Sequence, residues 1–135
     1  MFGAKPNKPP TRIDSLIGSG TRIEGNVVFS GGLRVDGEVR GDVRAADGQQ
    51  TTLVVSEQAR VEGEIRVSHL VVNGTIVGPV HAAEFLELQP RSRVSGDVHY
   101  SALEMHLGAI VEGRLVHAPS ASETKTVELK LAKST

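Results

Sequence analysis

The chain has 135 residues, with fifteen Lys and Arg against sixteen Asp and Glu, so its length suits one domain with tails and its near-neutral charge gives no electrostatic footprint for nucleic acid. It has no cysteine, which excludes disulfides and thiolate chemistry and suits a reducing cytoplasm. No run approaches the roughly 20 apolar residues of a membrane-spanning helix, and with 3% aromatic residues and no tryptophan the core must be aliphatic.

Residues 1–12 hold Pro6, Pro9 and Pro10 with Lys5, Lys8 and Arg12 and no acid. They are expected to form a disordered basic arm headed by Met1 and Phe2, with no apolar segment of the secretory type. One apolar anchor and a few cations, at about 1 kcal/mol each near anionic lipid, give reversible attachment that is useful when many copies act together. The first structured residues follow at once, with Ile13, Leu16 and Ile17. GSGT (18–21) lacks the lysine and helix of a phosphate cradle and reads as a tight corner.

From there a five-residue unit, apolar-x-Gly-x-apolar, recurs: IEGNV (23–27), VDGEV (35–39), VRGDV (39–43), VEGEI (61–65), VNGTI (72–76), IVGPV (76–80), VSGDV (94–98) and VEGRL (111–115). Successive repeats close at residues 27, 43, 65, 80, 98 and 115, in steps of 16, 22, 15, 18 and 17. The long step contains AADGQQT (45–51), which reads as a loop insertion.

Apolar residues at every second position imply strands, because successive side chains point to opposite faces. In LRVDGEVRGDV (33–43) one parity is Leu33, Val35, Val39 and Val43, and the other is the charged set Arg34, Asp36, Glu38, Arg40 and Asp42. LVVNGTIVGPV (70–80) repeats the first parity and not the second, so one parity is core and the other solvent. Gly25, Gly37, Gly41, Gly63, Gly74, Gly78, Gly96 and Gly113 fall between apolar neighbours, where glycine marks a bend or a close backbone approach. Short strands cornering at each glycine predict an all-β parallel solenoid of about six coils, roughly 17 residues each. A helix would lose up to about 1 kcal/mol at each glycine. An immunoglobulin-like sandwich does not call for near-copies at a fixed spacing.

His81, His99 and His117 are spaced by 18 residues. His81 and His99 each follow a repeat's last valine and are expected on adjacent coils, about 5 Å apart. His117 comes one place later and should face the other way. No carboxylate stands out in sequence as their partner, so they are read as solvent-facing, with no metal and no cofactor. Glu24, Asp36, Glu62, Asp97 and Glu112, with arginine neighbours, read as solvated ladders rather than an acid–base pair. The last coil, LEMHLGAIVEGRL (103–115), is apolar and is followed by no capping segment. Both ends of the stack are therefore expected to be open and adhesive. Residues 119–135 are expected to be a disordered tail, although TVELKL alternates and would suit an edge strand.

The lead-in RIDSLIG (12–18), with the VxGxV ladder after it, resembles the bactofilins, a family of bacterial polymer-forming cytoskeletal proteins, over about residues 11–117. That resemblance implies a right-handed three-faced β-helix over 13–118 and nucleotide-independent filaments built through end contacts. It also implies a scaffold for cell-wall enzymes or other partners at the inner face of the membrane. Met1, Phe2, Lys5 and Lys8 match the family's membrane-attaching start. The last coil lacks the aromatic that some relatives use for polymer contact, so Leu103, Met105, Leu107 and Ile110 are the candidates there, with Ile13, Leu16 and Ile17 at the other end. The expected partners are further copies of the chain, an anionic membrane surface and a scaffolded protein, with no direct nucleic acid. Two rival readings are a hexapeptide-repeat acyltransferase or metal-dependent trimeric enzyme, whose six-residue beat fails at Asn73 and across 27–53, and a monomeric solenoid adaptor.

Overall fold

The structure, a computed structural model, describes residues 12–46 and 50–119. The expectations placed on Met1, Phe2, Lys5 and Lys8 and on the tail from 120 onward lie outside the described residues.

Within them the chain winds into six coils of three short strands. The first coil is β1 (Ser15–Ile17), β2 (Arg22–Glu24) and β3 (Val27–Phe29). The second is β4 (Gly31–Val35), β5 (Glu38–Arg40) and β6 (Val43–Ala45). β7 (Thr51–Val55), β8 (Arg60–Glu62) and the start of β9 (Ile65–Val72) make the third. The rest of β9, β10 (Thr75–Val77) and the start of β11 (Val80–Leu88) make the fourth. The fifth is the rest of β11, β12 (Arg93–Ser95) and β13 (Val98–Tyr100). The sixth is β14 (Leu103–Met105), β15 (Ile110–Glu112) and β16 (Leu115–His117). β9 and β11 each pass from the third face of one coil to the first face of the next without a break.

Each strand pairs in parallel with its equivalents one coil away, and the register stacks like on like. On the second face Val39, Val61, Ile76 and Val94 form one column. On the third face Val43, Ile65, Val80 and Val98 form another. Leu33, Leu53, Leu70 and Leu86 stack on the first face beside Val35, Val55, Val72 and Leu88. All of these are buried, and each such side chain contributes about 1.5–3 kcal/mol by leaving water. β-Branched residues suit the columns because their stiff side chains pack on a pleated surface.

The outward parity of the second face is a charge checkerboard. One column runs Arg22, Glu38, Arg60 and the next runs Glu24, Arg40, Glu62. Ion pairs run along the strands as well, Arg40 to Glu38 and Arg60 to Glu62. Exposed pairs of this kind add little stability, but a two-residue slip would place like charges in contact along the face, as Arg22 against Arg40, and a one-residue slip would turn the charged parity inward.

Two corners use glycine for different reasons. Gly25, Gly41, Gly63, Gly78, Gly96 and Gly113 sit one above another with φ between 139° and 156°. From Gly41 to Gly113, a Cβ would lie 2.1–2.5 Å from the carbonyl oxygen of the glycine one coil below. The missing side chain thus points along the stack, neither inward nor outward. The residue after the glycine completes the corner: Asn26 Oδ1 accepts from Asp42 N–H, Asp42 Oδ1 from Glu64 N–H, and Asp97 Oδ1 from Arg114 N–H.

The corner between the first and second faces comes in two sizes. Gly18–Thr21, Ser56–Ala59, Gln89–Ser92 and His106–Ala109 are four-residue turns closed by a hydrogen bond from the last N–H to the first carbonyl, at 2.9–3.2 Å. Asp36-Gly37 and Asn73-Gly74 make the same corner in two residues. A Cβ on Gly37 would lie 2.3 Å from Thr21 O and 2.4 Å from Gly18 O, and one on Gly74 would lie 2.2 Å from Ser56 O. The short corner nests against the long one below it, and only glycine is small enough. The two sizes, which alternate through the first five coils, account for much of the unevenness of the repeat steps. The insertion lies between β6 and β7 and accounts for the step of 22.

Candidate functional site at the two ends

The six terminal strands each have a partner on one side only among the described residues. β1, β2 and β3 pair with β4, β5 and β6, and β14, β15 and β16 pair with β11, β12 and β13. Each end therefore offers a parallel edge of main-chain donors and acceptors around an aliphatic cross-section.

At the C-terminal end Leu103 and Met105 stack on Leu86 and Leu88, Val111 on Val94, and Leu115 on Val98. Met105 and Leu115 are 44% and 43% exposed, whereas Leu88 and Val98 beneath them are fully buried. Of the four residues singled out from sequence, Leu103 and Met105 belong to this cross-section. Leu107 stands at the tip of the 106–109 turn, 96% exposed. Ile110 lies on the outward parity over Arg93 and borders the end from outside. Val111 and Leu115 complete the surface. Their inward parity was legible in the VEGRL repeat.

At the N-terminal end Ile17 is inward under Val35 and nearly buried, with Ile23 under Val39 and Val27 under Val43. Ile13 is exposed, and Leu16 is outward beside Arg34 and 60% exposed. Val28, unmentioned in the sequence reading, is also outward and exposed, in the column that carries Arg44 and Arg66 in the next two coils. Leu16, Val28 and Ile110 each set an apolar side chain in a terminal coil against an arginine of the adjoining coil, Arg34, Arg44 and Arg93 respectively.

The histidines fall into two settings. His81 and His99 are register partners, and their rings stack with centroids 4.5 Å apart and planes 12° from parallel. His81 does have a carboxylate partner, contrary to expectation: its Nε2 is 3.1 Å from Glu64 Oε2, which also takes Arg66 at 3.0 Å. The partner was hidden because it comes from the coil below, and the corner lengths decide which residue that is. Burial, with Arg66 and His99 close by, holds the His81 imidazole below its ordinary titration range against the opposing pull of Glu64. His117 is one place out of this column, as its spacing implied. It leans on Tyr100 at 5.7 Å, with Nε2 3.0 Å from Ser101 O.

On the first face near the C-terminal end, Glu87 and Glu104 are register partners in adjacent coils. His106 Nε2 lies 2.9 Å from Glu87 Oε2 and 3.3 Å from Glu104 Oε2. Elsewhere acids mostly meet arginine, as where the Arg114 guanidinium, 3.1 Å away, and the Arg114 N–H hold Asp97 below the usual carboxylate range. The surface depressions are open and charge-lined, such as the one formed by Asn26, Val28, Asp42, Arg44, Glu64 and Arg66.

Comparison with known proteins agrees with this architecture. A family model described as "Bactofilin: Polymer-forming cytoskeletal" matches residues 15–116. The chain is 28% identical over 116 residues, 85% of its length, to Bactofilin BacP of Myxococcus xanthus, and it spans 47% of that protein. It is 25% identical over 103 residues to Bactofilin BacO of the same organism, covering 70% of this chain and 82% of that one. No solved structure matches significantly.

Proposed function

The chain belongs to the bactofilin family, and we propose that it is a self-assembling scaffold whose coils add end to end, without nucleotide, on the inner face of the cell membrane. The observation that carries this reading is the pair of solenoid ends, uncovered among the described residues. Each combines unpaired strand edges with exposed aliphatic side chains, and a parallel edge of this kind is a template for another chain. The apolar Leu16, Val28 and Ile110 extend both surfaces onto the outer faces. In this reading Ile13, Leu16 and Ile17 serve one end and Leu103, Met105, Leu107 and Ile110 the other. The work is done by assembly rather than by covalent chemistry. A scaffolded partner, such as a cell-wall enzyme, would be held along the charged faces.

Electron microscopy of the purified chain in chelator, with no nucleotide, tests the reading: filaments are expected. Discrete trimers would favour the enzyme reading, and dispersed monomers an adaptor. The basic start is a separate element of the proposal. Deleting residues 1–8 should abolish co-sedimentation with anionic liposomes and leave filaments intact, and unchanged sedimentation would remove the membrane from the scheme.

A further inference from the structure

We propose that Glu87, Glu104 and His106 bind a divalent transition-metal cation of the zinc class, clipping the last coil to the one below. The ligating atoms of the three side chains all lie within 4.8 Å of one another. Donors in a tetrahedral zinc shell sit about 3.3 Å apart, so the two distances from the imidazole, 2.9 and 3.3 Å, are already close to that spacing. One imidazole and two carboxylates, with water completing the shell, form a donor set that suits zinc, cobalt or nickel better than calcium.

The surroundings point to a cation independently of the spacing. Register places the two glutamates directly opposite each other, an arrangement that repels when both are ionised. The outward column that holds them runs Leu16, Arg34, Val54, Val71, Glu87, Glu104, so its arginine is three coils away and neither glutamate has an arginine or lysine partner among the described residues. Glu38, Glu62 and Glu64, by contrast, each pair with a neighbouring arginine. Gln89 donates from Nε2 to Glu87 Oε2 at 3.4 Å, supporting that carboxylate from the adjoining turn. Two ligands come from the sixth coil and one from the fifth. An ion there would therefore tie down the 106–109 turn that carries Leu107, whether or not the chain polymerises.

Titration calorimetry of the full chain, freed of metal by chelator and then given ZnCl2, should show one ion bound per chain. Glu104→Gln and His106→Gln should each weaken that binding at least tenfold, while His81→Gln leaves it unchanged. Glu104 is the most exposed of the three, so its variant tests the site with the fold intact, as circular dichroism would verify. In the parent chain zinc should also raise the melting temperature, and in Glu104→Gln it should not. Heat no larger than that of dilution, or binding that survives both substitutions, overturns the proposal and leaves His106 as a proton-sharing partner of the two glutamates.

Discussion

Where a side chain would begin on Gly63, the carbonyl of Gly41 already stands 2.1 Å away, and φ is +154°. Neither backbone can move without opening the parallel ladder. Gly63→Ala should therefore cost about 2–4 kcal/mol in urea unfolding. Gly18→Ala, with open space around the same atom, should cost little or nothing. A second residue-scale effect is titration. His81 resists protonation in the fold, so between its lowered folded value and the ordinary 6.5 the unfolded chain binds more protons. Stability should accordingly fall as pH drops through about 6.5. In His81→Gln that slope should flatten when melting is followed from pH 7.5 to 5.

At the scale of the strand, inward and outward positions obey different rules. Ile76→Ala in β10 leaves a void between Val61 and Val94, and denaturant titration should show a loss of about 2–5 kcal/mol. The inward set was legible from alternation alone: Leu33, Val35, Val39 and Val43 are all buried. Coil count was legible for the same reason, since a period of two with a regular glycine admits few other solutions. The corner sizes were harder to see. GSGT, SEQA, QPRS and HLGA have no residue pattern in common, and they are equivalent only because each returns an N–H to a carbonyl three residues back. Without those sizes most of the register between coils was undetermined, His81 over His99 being the contact that equal spacing from two repeat ends did give. Glu64 is 17 residues from His81, and Glu87 is 17 from Glu104 and 19 from His106, so these became neighbours only once the turns were known.

Across the whole molecule, the same columns that bury the middle of the rod expose its ends. Met105 has the environment of Leu88 on one side and solvent on the other. A charge there has no partner in the coil beneath, and in an end-to-end contact it would be buried. Met105→Arg and Leu115→Arg should thus give folded chains with nearly unchanged melting but short or monomeric species by light scattering. Long filaments from both variants would mean that assembly uses another surface. The nested corners also grade the first five coils of this rod in double divisions. LRVDGEVRGDV and LVVNGTIVGPV belong to the second and fourth coils, the two with short corners. A second copy of residues 64–96 inserted after Gly96 would lay a short corner on a long one and a long one on a short one. The rod would lengthen by about 10 Å with both ends unaltered. A copy of the single coil 79–96 would instead set Arg91 where Gly108 now lies against Pro90, with φ of 102° and no room for a side chain. The sixth coil stands long on long because Gly108 is there, so a copied pair of coils extends this rod where a copy of the fifth coil alone does not.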